Sequence, residues 1–265
     1  MTPALEDDFE PVTLSEFDGV RYLHLGSIWV QGAMRIRKPQ KVELDYVQRM
    51  LASLLWLDLD DTAEGTAVQL GLGAGAITRF TTTQLGWPTT VVEINPWVIE
   101  ANKRWFHLQG GDERLNVVAQ DAGQWLRQPA VAQSIRLLHV DLYDRDASGP
   151  VLDSEDFYAD CRAALAPGGV MSVNLFGRHT SFEQSAARIA AVFGAHQVWS
   201  IQPTREGNTA VVAARGVVVP EREVLTARAA LIEKRYAPAG LPATKWLRMV
   251  RPYAAAKTLS THSPT

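Results

Sequence analysis

A glycine-rich turn between an apolar strand and a helix is the feature that most constrains the fold of this chain. The run Ala67-Val-Gln-Leu-Gly-Leu-Gly-Ala-Gly-Ala76 has the pattern of a buried strand that enters a tight turn and opens a helix. A second apolar run, Val91-Val-Glu-Ile-Asn95, places an acid about 20 residues after the turn. This spacing is typical of a nucleotide-binding βαβ unit, because glycines let the backbone approach a ligand and the acid accepts hydrogen bonds from ribose hydroxyls. The residues predicted to bind an adenosine-bearing cofactor here are Gly71, Gly73, Gly75 and Glu93.

Strand and helix patterns alternate from Thr66 onward, which predicts a parallel sheet with helices on both faces. The predicted strands are 67–72, 89–94, 115–119, 135–141, 169–175, 196–201 and 208–214. The predicted helices between them are 76–85, 96–107, 121–127, 154–165 and 180–193.

The last two predicted strands are joined only by Pro203-Thr-Arg-Glu-Gly-Asn208. This connection is too short for a crossover helix, so the two strands must pair antiparallel. Five βα units closed by an antiparallel hairpin are the plan of the class I S-adenosylmethionine-dependent transferases. We therefore expect an α/β, Rossmann-like fold of the class I methyltransferase type with a mostly parallel, seven-stranded sheet. A dehydrogenase would need a sixth parallel strand, and the pattern offers none.

Two further regions flank this domain. Residues 12–36 have the pattern of short strands, and Asp18-Gly19 is a strong hairpin signal because both residue types tolerate a positive φ. A helix is expected from Val42, and two more are expected over 221–236 and 243–253. The predicted units are a β-rich N-terminal segment with a helix (1–60), a nucleoside-binding catalytic domain (61–220) and a helical extension with a disordered tail (221–265).

Composition excludes several classes of function. The 265 residues include 46% hydrophobic residues and carry a net charge of −3, so we expect neither nucleic-acid nor membrane-surface binding. The only cysteine, Cys161, is expected in the core, and the six histidines lack metal-ligand spacing, so no metal site is expected. With no signal-peptide pattern and no window long enough to span a bilayer, a cytoplasmic protein is expected.

Acids also follow the third and fourth strands of the predicted parallel sheet. Asp121 closes the third strand, where its carboxylate can cap the next helix or bind an adenine amine, with Ala122 and Trp125 lining the ring. Asp141 ends the fourth strand behind an apolar run, and Asp144 follows three residues later. Ligands of open α/β sheets bind at the carboxyl ends of strands, so both acids can orient a cationic amine and one can accept its proton.

These segments together resemble the polyamine aminopropyltransferases, the family of the spermidine and spermine synthases, over about residues 20–200. The resemblance depends on the glycine turn, on Val92-Glu-Ile-Asn95, on Gln120-Asp-Ala122, on the Asp141-x-x-Asp144 pair with Gly149-Pro150, and on Leu152–Tyr158 followed by Leu165–Gly169. The N-terminal strands with Gln31, ahead of a helix that contains a tyrosine, are similar to the small N-terminal domain of that family.

The resemblance implies an activity and a set of roles. Members transfer a propylamine group from decarboxylated S-adenosylmethionine, a co-substrate used without a metal, to a diamine such as putrescine, and they release methylthioadenosine. Glu93 is expected to bind the ribose, Asp121 the adenine and Gln31 the nucleoside. Asp141 is expected to deprotonate the attacking amine. The residues expected to bind the diamine are Asp144 and Tyr46. The expected partner is a small amine, and the expected assembly is a homodimer.

Two positions depart from the family pattern. Ala74 stands where the family carries an aspartate that binds the ammonium of the aminopropyl group, and Val47-Gln48 stands where the family carries His-Glu. Because Ala74 would not repel the carboxylate of intact S-adenosylmethionine, a methyltransferase acting on an unknown small acceptor is one alternative. A non-catalytic nucleoside-binding homologue is the other.

Overall fold

The computed structural model of the protein describes residues 9–58, 65–108, 113–143, 150–176 and 180–253. Its strands are β1 (Val12–Phe17), β2 (Val20–Leu25), β3 (Gly32–Arg35), β4 (Ala67–Leu70), β5 (Thr89–Glu93), β6 (Leu115–Ala119), β7 (Ile135–Val140), β8 (Leu165–Phe176), β9 (Val198–Ile201), β10 (Asn208–Ala214) and β11 (Val250–Pro252). Its α-helices are α1 (Asp45–Met50), α2 (Ala76–Arg79), α3 (Pro96–Trp105), α4 (Ala122–Leu126), α5 (Glu155–Ala164), α6 (Thr180–Phe193), α7 (Arg222–Arg235) and α8 (Ala243–Met249).

Eight strands form the large sheet, in the order β11-β9-β10-β8-β7-β4-β5-β6. The five strands from β8 to β6 run parallel, and β10 pairs antiparallel with β8 and with β9. The expected Rossmann-like fold is therefore confirmed, as is the antiparallel hairpin near the end of the sheet.

The C-terminal end of the large sheet differs from the prediction. The helix expected over 243–253 ends at Met249, and Val250–Pro252 then pairs with β9 as an eighth strand. This pairing satisfies backbone groups of β9 that would otherwise lie at an open sheet edge. Pro252 occupies a position at the rim of the sheet, where its missing N–H costs little. The residues expected to form a disordered tail lie outside the described part of the chain.

A separate small sheet of β1, β2 and β3 lies at the N-terminus. Phe17 pairs with Val20 across the predicted turn, where Asp18 and Gly19 have φ angles of 48° and 70°. Two successive positive φ angles match the right-handed twist of the strands, so the hairpin signal is confirmed.

The helix expected from Val42 begins only at Asp45 and continues beyond Met50 as a 3₁₀ segment, Leu51–Trp56. The whole 3₁₀ segment is buried, and it packs with residues of the large sheet such as Leu137 and Val212. Its apolar residues therefore cover one face of the sheet. A second cluster covers the other face and includes Cys161, which is buried as expected.

The order of the strands fixes where a ligand can bind. From β4 the chain moves outward to β5 and β6, then returns to β7 on the other side of β4 and continues to β8. The carboxyl ends of β4 and β7 therefore border a crevice at a topological switch point, which is where open α/β sheets bind ligands. No helix among the described residues is long and apolar enough to cross a membrane.

Candidate active site

A cavity of about 700 Å³ opens at this switch point. Its floor comes from the carboxyl ends of β4, β5, β7 and β8, and one wall comes from β2 and the β2–β3 loop of the small sheet. Trp29 in that loop lies edge-on to Phe176 after β8, with ring centroids 6.3 Å apart. The small sheet thus covers the crevice from one side.

The glycine turn lets neighbouring backbone approach the ligand crevice. Gly71 has a φ of 83°, and a Cβ added there would lie 2.1 Å from the backbone oxygen of Asp141. Gly73 has a φ of 52°, and its Cβ would lie 2.8 Å from the backbone oxygen of Gln31. Both glycines line the cavity, whereas Gly75 lies behind them as the N-cap residue of α2. Gly71 and Gly73 must be glycine, because both have a positive φ and because a Cβ at either position would collide with backbone.

Glu93 lies at the end of β5, lines the cavity and is 9% exposed. Its Oε2 accepts a 2.8 Å hydrogen bond from the Leu72 backbone N–H, and its Oε1 accepts one of 2.9 Å from Asn95. Burial raises the pKa of Glu93, and the backbone donors partly offset this effect. Each oxygen keeps a further lone pair, so the carboxylate can still accept hydrogen bonds from two vicinal hydroxyls.

Asp121 and Ala122 follow β6 and line the next part of the cavity. Asp121 caps α4, since its Oδ1 accepts a 2.8 Å hydrogen bond from the Gln124 backbone N–H. Asp121 can cap the helix and contact a ligand at the same time, because the cap uses only Oδ1 and leaves Oδ2 for the ligand. Gln31 also lines the cavity beside the small sheet. Of the residues predicted from the sequence to contact the nucleoside, Gly75 and Trp125 do not line the cavity, and Trp125 packs in the core instead.

Asp141 follows β7 and is held by two side-chain donors. Asn174 of β8 donates a 2.9 Å hydrogen bond from Nδ2 to Oδ1, and the Tyr46 hydroxyl of α1 donates one of 3.2 Å to Oδ2. Desolvation raises the pKa of Asp141, while the two donors act in the opposite direction. A carboxylate with a raised pKa and fixed geometry is suited to accept a proton from a bound amine.

The other expected amine-site residues divide into two groups. Tyr46 lines the cavity as expected, whereas Asp144 lies outside the described residues. Val47 is buried in the core, and Gln48 donates to the backbone oxygen of Val42, so neither lines the cavity. Ala74 is 2% exposed and packs against Gly32.

Several cavity residues were missed by the sequence analysis. They are Trp29, Tyr143, Asn174, Phe176, Glu206 and Asn208. Asn174 could have been found, because it is a polar residue near the carboxyl end of a predicted parallel strand, as Asp141 is. Glu206 and Asn208 gave no such signal, since Glu206 lies in the connection between two antiparallel strands and Asn208 is the first residue of the second of them.

The charge of the lining is strongly asymmetric. Six described carboxylate residues line the cavity, and no described lysine or arginine does; the acids are Glu43, Asp45, Glu93, Asp121, Asp141 and Glu206. Glu43 pairs with Arg35 and Lys41, and Asp45 pairs with Arg49. The other four form no ion pair within the described part of the chain. Such a cavity favours a cationic ligand.

Comparison with known proteins identifies relatives that match most of the chain. The polyamine aminopropyltransferase of Chromobacterium violaceum is 32% identical over 236 residues, which are 88% of this chain and 87% of the relative. The polyamine aminopropyltransferase of Neisseria meningitidis is 30% identical over 206 residues, 77% of this chain and 76% of the relative. The chain belongs to the polyamine aminopropyltransferase family. The members of this family are transferases.

The fold of a solved structure agrees with the family assignment. A probable spermidine synthase from Corynebacterium glutamicum superposes with a TM-score of 0.68 at 19% identity, over 96% of this chain and 95% of that one. No protein-family model matches the chain. Among the described residues, no group of three or more His, Cys, Asp or Glu side chains is arranged to hold a metal ion.

Proposed function

We propose that the protein transfers the aminopropyl group of decarboxylated S-adenosylmethionine to a diamine such as putrescine. The observation that carries the proposal is the environment of Asp141. Its carboxylate accepts hydrogen bonds from Asn174 and Tyr46, and it lies in a cavity lined by carboxylates at the switch point of the large sheet. Both substrates of such a reaction are cations, and carboxylates reduce the cost of desolvating them.

The residues present fit the nucleoside part of this co-substrate. Glu93 offers two carboxylate oxygens to ribose hydroxyls, and Asp121 offers one to the exocyclic amine of adenine. Ala122 and Leu152 supply an apolar surface for the ring. Gly71 and Gly73 keep the crevice open where any side chain would collide with backbone. The sulfonium carbon is expected near the carboxyl ends of β4 and β7, beside Asp141.

Catalysis in this site depends on removing a proton and on positioning. An alkylammonium with an ordinary pKa near about 10 is almost fully protonated at neutral pH and has no free lone pair. Asp141 accepts one proton from it, and the freed nitrogen lone pair attacks the carbon next to the sulfonium. The carbon–sulfur bond breaks with its electrons remaining on sulfur, which leaves a neutral thioether, methylthioadenosine. No covalent enzyme intermediate is needed, so alignment of the two substrates supplies much of the rate.

The departure at Ala74 keeps methyl transfer as a second candidate. Ala74 offers no carboxylate for the ammonium of an aminopropyl group, and it would not repel the carboxylate of intact S-adenosylmethionine. The acidic lining argues for a cationic acceptor in either reaction.

The test is a direct assay of both donors. The purified protein is incubated with decarboxylated or intact S-adenosylmethionine and with diamines of three to five carbons, and the thioether products are separated by chromatography. The proposal expects methylthioadenosine from the decarboxylated donor only, in a diamine-dependent reaction. Release of S-adenosylhomocysteine from the intact donor would instead favour methyl transfer. No product from either donor, with nucleoside binding retained, would support a non-catalytic homologue.

A further inference from the structure

Asp141 lies at the end of a chain of side-chain hydrogen bonds that begins on the antiparallel hairpin. Asn208 of β10 donates from Nδ2 to the Oδ1 of Asn174 at 3.2 Å, and Asn174 donates from Nδ2 to Asp141 at 2.9 Å. These bonds join three elements that are remote in sequence. The chain has a fixed direction, because an ionised carboxylate can only accept hydrogen bonds.

The amide of Asn174 could in principle adopt either of two orientations. A rotation of 180° would exchange its oxygen and nitrogen and place a lone pair against the carboxylate of Asp141. The donor from Asn208 opposes this rotation, because it would then face the Asn174 NH₂ group. Asn174 is 4% exposed, so water has little access to replace a lost partner.

The backbone of Asn208 is hydrogen-bonded to the turn that precedes it. Its backbone N–H donates to the Thr204 hydroxyl at 3.2 Å, and its carbonyl oxygen accepts from the Thr204 N–H at 2.8 Å. In the sheet, Asn208 pairs with Phe176 and Ala210 pairs with Asn174, so the two asparagines are diagonal neighbours on adjacent strands. Diagonal neighbours lie within reach of each other on one face of a sheet.

We propose that Asn208 is a positioning residue for Asp141. By donating to Asn174, it fixes the amide orientation that presents an N–H to the carboxylate. This inference rests on the proposed function, in which Asp141 must be ionised to accept the proton of the amine. It assigns to the antiparallel hairpin a role in the chemistry as well as in extending the sheet.

Other titratable groups near Asp141 could also affect the pH dependence of the reaction. Tyr46 and Tyr143 interact electrostatically with Asp141, and the pKa of each hydroxyl is raised, chiefly by burial. His139, two residues earlier on β7, is fully buried, and burial lowers its pKa to about 3. Neither the tyrosines nor His139 changes charge near neutral pH. The acids Glu43, Asp45, Glu93, Asp121 and Glu206 line the same cavity, and all of them are present in every variant compared below.

The experiment compares Asn208→Ala, Asn174→Ala and the double variant with the wild type. The acid limb of the pH profile of kcat/KM for methylthioadenosine release reports the pKa of the free enzyme's base. Without the hydrogen bond from Asn208, the apparent pKa of this acid limb should rise by about 0.5–1 pH unit, the range expected for a weakened hydrogen bond to a charged group. If Asn208 acts only through Asn174, the double variant should match Asn174→Ala instead of adding to it.

Asn116→Ala serves as the matched control, because Asn116 is an exposed asparagine on β6 that does not line the cavity. It should leave the pH profile unchanged. Thermal unfolding of each variant shows whether it folds, and ¹³C NMR of the aspartate carboxyls, assigned with Asp141→Asn, gives the pKa of Asp141 without turnover. An upward shift by NMR upholds the inference even if no aminopropyl transfer occurs, in which case only the proposed function fails. A raised KM for the diamine with an unshifted limb, or additive effects in the double variant, would overturn the inference, because Asn208 would then contact the substrate itself.

Discussion

The two parts of the cavity that we propose for the nucleoside and for the amine acceptor, called here the nucleoside half and the acceptor half, are built in different ways. In the nucleoside half, Glu93 ends β5 and Asp121 follows β6. The Glu93 carboxylate accepts from the backbone N–H groups of Leu72 and Asn95, and the Asp121 carboxylate accepts from that of Gln124. In the acceptor half, Asp141 is held by side chains from α1 and β8, which are 95 and 33 residues away in sequence. Backbone donors survive most substitutions, whereas side-chain donors do not. The acceptor half should therefore be more sensitive to changes at a distance.

The largest expected effect comes from Asp141→Asn, which keeps the size of the side chain and removes its charge and basicity. We expect kcat to fall by about 10²–10⁴-fold, the usual loss for a general base. Nucleoside affinity should barely change, because the two halves use different carboxylates. Steady-state kinetics and calorimetry with methylthioadenosine measure the two effects separately. Wild-type turnover in this variant would remove Asp141 from the chemistry.

The nucleoside half is tested by Glu93→Ala. We expect methylthioadenosine binding to weaken by about 1–3 kcal/mol, the cost of losing a hydrogen-bond partner that carries a charge. Glu93→Gln is the matched variant, because it retains the shape and one acceptor and should lose less. Unchanged affinity in a folded Glu93→Ala protein would place the nucleoside elsewhere.

Tyr46→Phe tests how strongly the acceptor half depends on a side-chain donor from a distant element. It removes one of the two donors to Asp141, so the pKa of that carboxyl should rise further and its ionised fraction at a given acidic pH should fall. We expect kcat/KM to decrease by about tenfold at low pH, corresponding to about one pKa unit, and to recover as the pH rises. The measurement is the pH profile of the transfer reaction. A loss that is equal at all pH values would mean that the hydroxyl contacts the substrate instead.

The smallest effect is expected at Asp121, where two roles can be separated. Asp121→Ala removes the cap of α4 and should lower the free energy of unfolding by about 1 kcal/mol. Asp121→Ser retains a capping oxygen and should keep most of that stability. If Asp121 also binds the adenine amine, both variants should lose a few-fold in nucleoside affinity, by about 1 kcal/mol. Normal affinity in the serine variant would leave the cap as the only role of this acid.

The positions of Glu93 and Asp121 at the cavity could be predicted from the sequence because their determinants are local. The turn at Gly71–Gly75, the acid at Glu93 and the cap at Asp121 each lie at a junction of strand and helix that the sequence pattern predicts. The side chain that ends a parallel strand must lie at the ligand edge of the sheet. For the same reason Asp141 could be placed in the site without a structure.

The acceptor half could be predicted only in part. Nothing near Asn208 in sequence indicates that it reaches Asn174, because that contact depends on the register between β10 and β8. The strand at Val250–Pro252 was wrongly predicted as helix for a similar reason. Its conformation is selected by pairing with β9, a partner about 50 residues away, and tertiary contacts commonly override local propensity.

The sequence by itself determined the parallel sheet, the antiparallel hairpin next to it and the edge at which Glu93, Asp121 and Asp141 meet. These follow from periodicity, turn chemistry and connection length, which are properties of short segments. The tertiary structure alone decided which donors hold Asp141 and that Asn208 approaches the site. Those features depend on the packing and register of distant elements, and a change of one residue in strand register would place each side chain on the opposite face of the sheet.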